Sequence, residues 1–330
     1  MLVPTPKLVS VLVPAFNEEA NVERCYEAIV SVFAELPGYE CEIVFTDNHS
    51  TDRTFELLRA IAQQDARVRV IRFSRNIGYQ RSLLAAYKAA RGDCSVQIDC
   101  DLQDPPSLIP HMLGLWREGH QVVYGVRRSL PDRWHVALMR RGFYWFVNAL
   151  SEDDLPPNAG EFRLVDRRIL DELRDIDDTS PYLRGLISAM GFAQVGFPYD
   201  RHDRVAGTSK FPFRAMLMLG VDAVLNHSLL PLRLASWTSL LVGSLTSLLL
   251  FGYIVGALVL GSGWPRGFAT TTILLLLAIT LNAMFMGILG EYVGRIFMQS
   301  KRRPSTIVEE IVEVGPRPVV RLAIRDGVEA

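Results

Sequence analysis

The sequence predicts an α/β domain with a mostly parallel sheet, followed by a two-helix transmembrane hairpin. Three observations carry this reading. Short β-branched apolar runs alternate with helix-period segments between about Leu8 and Val126, the pattern of βαβ units. Polar runs follow the first four apolar runs, at the strand ends where open α/β sheets place their ligands. Two later stretches, 234–260 and 268–289, are apolar and free of charged residues, each longer than the roughly 20 residues that cross a bilayer core.

Strands are expected at 8–13, 42–46, 68–73, 94–98 and 121–126, with helices at 20–35, 52–64, 79–90 and 107–118 between them. Ser50 and Thr51 stand as capping residues before the second helix. Asp104 followed by Pro105 reads as the N-cap and first position of the fourth. Beyond Arg127 come a basic helical segment, RRSLPDRWHVALMRRGFYWFVNAL, and a polar loop, SEDDLPPNAGEFRL. Helices at 167–174 and 182–190 and a strand at 192–197 are next, then a basic loop, YDRHDRVAGTSKFPF, and an amphipathic segment, 213–225, suited to a membrane surface.

A buried pair of core helices is the alternative for the two apolar stretches, but neither shows a polar face. The turn between them, GSGWPRG, holds one cation, Arg266, whereas Arg214, Arg233, Arg295, Lys301, Arg302 and Arg303 flank the outer ends. The positive-inside rule then puts both ends in the cytoplasm, making a multi-pass protein of the inner (plasma) membrane. Asn282, Gly287, Gly290 and Gly294 suit helix–helix packing, between subunits of a homo-oligomer among other arrangements. The expected division is an α/β domain at 1–210, a juxtamembrane helix at 211–231, the hairpin at 232–298 with spans near 234–260 and 268–290, and a cytoplasmic tail at 299–330. In the tail, TIVEEIVEV and PVVRLAI read as two short strands or an extension.

The 330 residues leave room for one large or two ordinary domains. A net charge of −1 argues against a nucleic-acid partner held by bulk electrostatics. Cys25, Cys41, Cys94 and Cys100 form no CxxC pair and read as reduced, buried thiols. The start, MLVPTPKLVSVLVP, lacks the apolar core and cleavage site of a signal peptide, so the first domain is expected in the cytosol. Neither GxGxxG nor GxxxxGK[ST] follows a strand, which disfavours a dinucleotide dehydrogenase and a P-loop NTPase.

The run IDCDLQDPP concentrates the chemistry. A side-chain period of two sends Asp99, Asp101 and Gln103 to one side and Cys100 and Leu102 to the other. Such a trio of oxygen ligands suits a hard divalent cation, which also lets two close carboxylates stay ionised. A capped, solvated turn explains an isolated DxD equally well.

The series VPAFNEE, DNHSTD, SRNIGYQ, DCDLQDPP, GEFRLVDR and RVAGTSKFPF resembles, in order and spacing, the family-2 glycosyltransferases of GT-A (Rossmann-like) fold. It looks most like their polyprenyl-phosphate branch, the dolichyl-phosphate-mannose-synthase-like and GtrB-like enzymes with a C-terminal membrane hairpin. The resemblance extends to about Pro304. It implies inverting transfer of a hexose from a nucleotide sugar, UDP-glucose favoured, to undecaprenyl or another polyprenyl phosphate at the cytoplasmic membrane face.

The resemblance also assigns roles. Asp99, Asp101 and Gln103 would hold Mg²⁺ or Mn²⁺ against the diphosphate, with Asp101 and Glu161 as the catalytic pair. Glu18 and Asp47 would bind ribose and base, Pro14 and Phe16 would shape the base pocket, and Arg75, Asn76 and Gly78 would lie near the sugar nucleotide. Strand-end packing is the alternative for Phe16, and a surface ion pair for Arg75. Arg127, Arg140, Arg141 and Arg163 are candidates for the lipid phosphate, guanidinium forks matching its oxygens. A solvated basic face or an anionic-lipid contact competes for Arg140 and Arg141. Arg204, Ser209 and Lys210 sit in the loop that in the family lies over the diphosphate or acceptor phosphate, with Gly207 permitting it to bend.

Glu161 stands where relatives often carry Asp. A phosphate monoester with a second pKa near ~6 needs little deprotonation at neutral pH, so Glu161 is expected to position a substrate more than to take a proton. Asn48 and His49 replace the usual Asp and Gly, which puts base recognition at that loop in question. A processive polysaccharide synthase is disfavoured: Leu130 stands where QxxRW would need Gln before Arg133 and Trp134. A non-catalytic membrane adaptor, or an accessory to lipid-sugar flipping, is the alternative from another class; an intact metal cluster argues against it.

Overall fold

The computed structural model describes residues 5–128, 159–178, 181–201, 267–300 and 306–314, with short pieces between 237 and 255 that are all helical. In chain order the elements are β1 (Lys7–Ala15), α1 (Val22–Ala34), β2 (Tyr39–Asp47), α2 (Thr54–Gln64), β3 (Val68–Phe73), α3 (Tyr79–Ala89) and β4 (Cys94–Gln97). There follow α4 (Ile109–Arg117), β5 (Val122–Arg127), β6 (Ala159–Asp166), α5 (Arg167–Asp175), α6 (Leu183–Ala189), β7 (Gln194–Tyr199), α7 (Phe268–Ser300) and β8 (Val308–Val312). Each strand and helix expected before residue 128 is present. The sheet-bearing residues form one compact unit, and α7 belongs to a second.

One eight-stranded sheet runs in the order β7-β5-β6-β4-β1-β2-β3-β8. β1 pairs in parallel with β2 and β4, β2 with β3, and β5 with β7. β6 and β8 are antiparallel to their neighbours, so the mostly parallel expectation becomes a mixed sheet. Helices cover both faces. α1 buries Val22, Cys25, Ile29 and Phe33 at helical spacing, and with α2 and α4 it closes one core. Tyr87 of α3 and Ile169, Leu170 and Leu173 of α5 lie in the other, where α6 adds Leu183 and Ile187. The four cysteines are buried and free.

Four local expectations are corrected. Residues 159–164 form β6 in the sheet interior instead of a loop: the polar, Pro- and Gly-containing approach to GEFRL masks the alternation of buried Phe162 and Leu164 with Glu161 and Arg163. Ser50 and Thr51 do not cap α2; Asp52 Oδ1 accepts from the Thr54 N–H at 3.0 Å, while Ser50 Oγ accepts from the Asn17 N–H. Asp104 does not cap α4, which starts only at Ile109 after a 3-10 turn at Pro106–Leu108, and its carboxylate instead receives the Tyr199 hydroxyl at 2.5 Å and lies 3.4 Å from Arg201 Nε. β4 stops at Gln97, and the chain turns so that the Leu102 N–H reaches the Asp99 carbonyl, with Leu102 at φ 56°. That turn, in place of strand alternation, arranges Asp99, Asp101 and Gln103.

α7 contains an 18-residue window, Leu277–Gly294, of mean hydropathy 1.4 and with none of it buried. By length and composition it is able to cross a membrane. Of the tail, the first segment forms β8 against β3; PVVRLAI lies outside the described residues, as do 202–236 with the juxtamembrane segment and the turn GSGWPRG up to Arg266.

Candidate active site

The sheet sets the site through the carboxyl ends of β1, β2, β3 and β4, all running the same way. Main-chain and side-chain hydrogen bonds lace these ends together. After β1, Phe16 is 44% exposed, an aromatic ring open to solvent beside buried Pro14. The Asn17 side chain accepts from the Thr51 N–H at 2.8 Å, and the Glu18 N–H donates to Thr54 Oγ1 at 2.8 Å. The Glu18 carboxylate receives Asn21 Nδ2 at 2.6 Å. At the β2 end, Asp47 is fully buried: Oδ1 accepts from the Ser50 N–H at 3.1 Å and Oδ2 faces Arg72 at 3.4 Å. Burial pushes its carboxyl upward against those two partners. Asn48 joins three loops, its N–H on the Ala15 carbonyl and its Oδ1 under the Ile77 N–H.

After β3, Arg75 and Asn76 are exposed; Asn76 Oδ1 accepts from the N–H of Gly78, whose φ of 87° favours a residue without a Cβ. The turn delivers Tyr79 to Asp99. Its hydroxyl donates to Asp99 Oδ1 at 2.7 Å and accepts from Gln97 Nε2 at 2.8 Å, while Tyr87 donates to Gln97 Oε1 at 3.2 Å. Burial above all, then the negative charge of Asp99, raises the Tyr79 phenol well above its usual value, so it stays a donor.

Asp101 is 7% exposed and accepts the Gln103 N–H at 3.2 Å. Burial lifts the Asp99 carboxyl to about 6; the Tyr79 hydrogen bond opposes this, and the carboxylates of Asp104, Asp101 and Glu161 add to it. Asp99 thus feels three other carboxylates, of which Glu161 and Asp104 have arginine partners, and a divalent cation beside Asp99 and Asp101 would favour their ionised forms. Among the described residues no group of three or more His, Cys, Asp or Glu side chains is arranged as a complete metal cage. One or two carboxylates plus substrate phosphates and water are what Mg²⁺ ordinarily takes, so Asp99 and Asp101, with the Gln103 amide, fit a hard cation bound together with a diphosphate.

Glu161 on β6 is gripped by Arg184 of α6 at 3.0 Å and by Gln80 Nε2 at 3.5 Å, and Gln80 Oε1 in turn accepts the Leu183 N–H. Burial would raise its carboxyl, but Arg184 and Arg163 outweigh burial and hold it below the ordinary glutamate value. A carboxylate kept ionised in this way is a weak base and a firm anchor. Arg163 itself is 4% exposed, with Nη2 on the Gly160 carbonyl at 3.4 Å. Arg127, at the end of β5, places Nε 3.5 Å from the Tyr199 hydroxyl, which links it to Asp104. The Tyr199 ring lies over Gly125, where a Cβ would meet its Cε1 at 2.6 Å.

The structure places the expected Pro14, Phe16, Glu18, Asp47, Arg75, Asn76, Asp99, Asp101 and Gln103 at or after the ends of β1 to β4, and Glu161, Arg163 and Arg127 on β6 and β5, all in one compact unit. Arg140, Arg141, Arg204, Ser209 and Lys210 lie outside the described residues. Tyr79, Gln80, Arg72, Arg184, Tyr199 and Arg201 were not foreseen. Tyr79 and Gln80 belong to the run SRNIGYQ, whereas no sequence pattern marks Arg184.

Residues 10–174 match the model of glycosyl transferase family 2. The chain is 35% identical to the uncharacterized glycosyltransferase YkcC of Bacillus subtilis (strain 168), over 91% of this chain and 93% of that protein. It is 34% identical to the bactoprenol glucosyl transferase of Shigella phage SfV, over 91% and 98% respectively. Among solved structures it is similar to the mannosyltransferase PcManGT of Pyrobaculum calidifontis in complex with GDP-Man and Mn²⁺, with 18% identity, a TM-score of 0.46 and 88% of each chain covered. From the family match and the long relatives, the chain belongs to glycosyltransferase family 2: it is a glycosyltransferase of GT-A fold.

Proposed function

We propose that this chain moves a hexose, glucose from UDP-glucose by preference, onto the phosphate of undecaprenyl or another polyprenyl lipid at the cytoplasmic membrane face, with inversion at the anomeric carbon. The observation that carries the reading is the likeness, over about nine-tenths of the chain, to bactoprenol glucosyl transferases, which takes in the apolar helix α7 as well as the crevice. Membrane attachment through two spans, with the α/β domain and both termini cytoplasmic, follows from the flanking cations and the apolar stretches.

In this reading Asp99, Asp101 and Gln103 hold Mg²⁺ or Mn²⁺, which when bound offsets charge on the departing nucleoside diphosphate. The ends of β1 and β2 receive the nucleoside, with the exposed Phe16 ring offering a face for the base. Glu161, fixed by Arg184, hydrogen-bonds the sugar or acceptor. Arg127 faces the acceptor phosphate, with Arg140, Ser209 and Lys210 as further candidates and Arg204 on the nucleotide sugar.

Membranes carrying the protein, given labelled nucleotide sugars, polyprenyl phosphate and Mn²⁺ or Mg²⁺, should form a metal-dependent lipid-linked sugar. Absence of product with every common donor would favour a non-catalytic adaptor over the transferase.

A further inference from the structure

The tail strand β8 ends the sheet beside the β2 and β3 strand ends, although α7 precedes it in the chain. Its pairing with β3 is irregular: Arg72 lies opposite Glu310 and Phe73 opposite Val308, so Glu309 is the extra residue of a bulge. A bulge re-aims the side chain it inserts. Here the Glu309 carboxylate accepts from Arg72 Nε at 3.0 Å, and the same oxygen stands 3.5 Å from His49 Nδ1.

Arg72 is fixed on three sides. Its guanidinium lies 4.2 Å over the Phe55 ring, Nε bonds Glu309, and Nη1 stands 3.4 Å from Asp47 Oδ2. That Asp47 oxygen is buried without a hydrogen-bond partner, so Arg72 is the group that balances it. His49, held at φ 61°, contacts the Phe73 carbonyl through Nδ1 at 3.0 Å. The histidine that departs from the family pattern thus turns toward β3 and the tail.

We infer that Glu309 of β8 is a positioning residue for the nucleotide-sugar site, setting Arg72 and through it Asp47 and the 47–50 turn. The inference rests on the reading of the β2 end as part of that site. Glu309 is about half exposed, with 48% of its side chain accessible, and such ion pairs contribute little to stability, so its effect belongs to geometry. The other two acidic residues in the described part of the tail pair elsewhere, Glu310 with Arg59 and Glu313 with Arg91 at 3.2 Å, and serve as internal controls.

The test is donor kinetics on the full-length chain in membranes. Glu309→Ala should raise the donor KM about fivefold with kcat within about twofold, and Glu309→Gln, which keeps an acceptor for Arg72, should recover most of the loss. Glu310→Ala and Glu313→Ala should leave the donor KM unchanged, whatever they do to thermal stability. If Glu309→Ala shifts the thermal midpoint as those controls do and leaves KM alone, β8 is only an edge cover and the proposal is overturned. If the wild type turns over no nucleotide sugar, the reading of the site falls and the proposal with it.

Discussion

The Tyr79 hydroxyl donates to Asp99 Oδ1 at 2.7 Å, at the end of a hydrogen-bonded chain that begins at the buried Tyr87 and passes through Gln97. The chain spends one oxygen of Asp99 on orientation. A carboxylate that would otherwise rotate is held by α3, so if Asp99 is a metal ligand, as proposed, its orientation depends on a residue outside the DxD run.

Removing that hydroxyl tests the dependence. Tyr79→Phe keeps the ring and loses a hydrogen bond to a charged group, a contribution of about 1.5–3 kcal/mol. The expected outcome is roughly a tenfold fall in turnover at low cation concentration, partly restored by excess Mn²⁺. Cation titration of wild type and variant checks it, with chelation abolishing product in both.

Asp101→Asn separates fold from chemistry. The amide oxygen can still accept the Gln103 N–H that Asp101 accepts at 3.2 Å, so the turn survives while the charge is lost. Product formation should drop by about 10³ or more, with the protein still in the membrane and its thermal midpoint nearly unchanged. Retained activity would move the metal site elsewhere.

Arg184→Gln leaves the half-buried Glu161 without the guanidinium 3.0 Å from its carboxylate. The expected destabilisation is about 1–3 kcal/mol at neutral pH. Its pH dependence has a definite sign. Because Arg184 and Arg163 depress the folded Glu161 carboxyl, their stabilisation is complete above the ordinary glutamate range and is lost as pH falls through the depressed value. Unfolding curves of wild type and variant should therefore differ most near neutrality and converge in acid.

Gly125→Ala puts a Cβ 2.6 Å from Tyr199 Cε1, a contact that forces the ring away from Asp104 and Arg127. Overpacking of this kind costs about 1–3 kcal/mol. Denaturant unfolding should report that loss, and KM for the lipid acceptor should rise more than KM for the donor.

The elements up to β5 were legible because their apolar periodicities are strong and because the parallel strands, buried on both faces, carry short apolar runs such as those within β1 and β2. β6 was not legible. Its approach is polar, and it carries the half-buried Glu161, whose partners Arg184 and Gln80 come from distant segments, and the buried Arg163. Nor does a one-dimensional pattern disclose that Asp104 receives a hydroxyl from Tyr199, separated from it by 95 positions. The tail shows the same limit: TIVEEIVEV has strand character, but whether it pairs, and with which edge, is decided by β3.

The sequence by itself determined the α/β class, the apolar segments and the run of acidic and amide residues that marks the crevice, because periodicity, length and ligand type are local properties. Only the tertiary structure decided how Asp99 is oriented, how Glu161 is kept ionised, and that Glu309 reaches Arg72 across a bulge. Those are contacts between segments remote in the chain. Their energies depend on burial and on separations of a few ångströms, quantities that arise once the sheet has assembled.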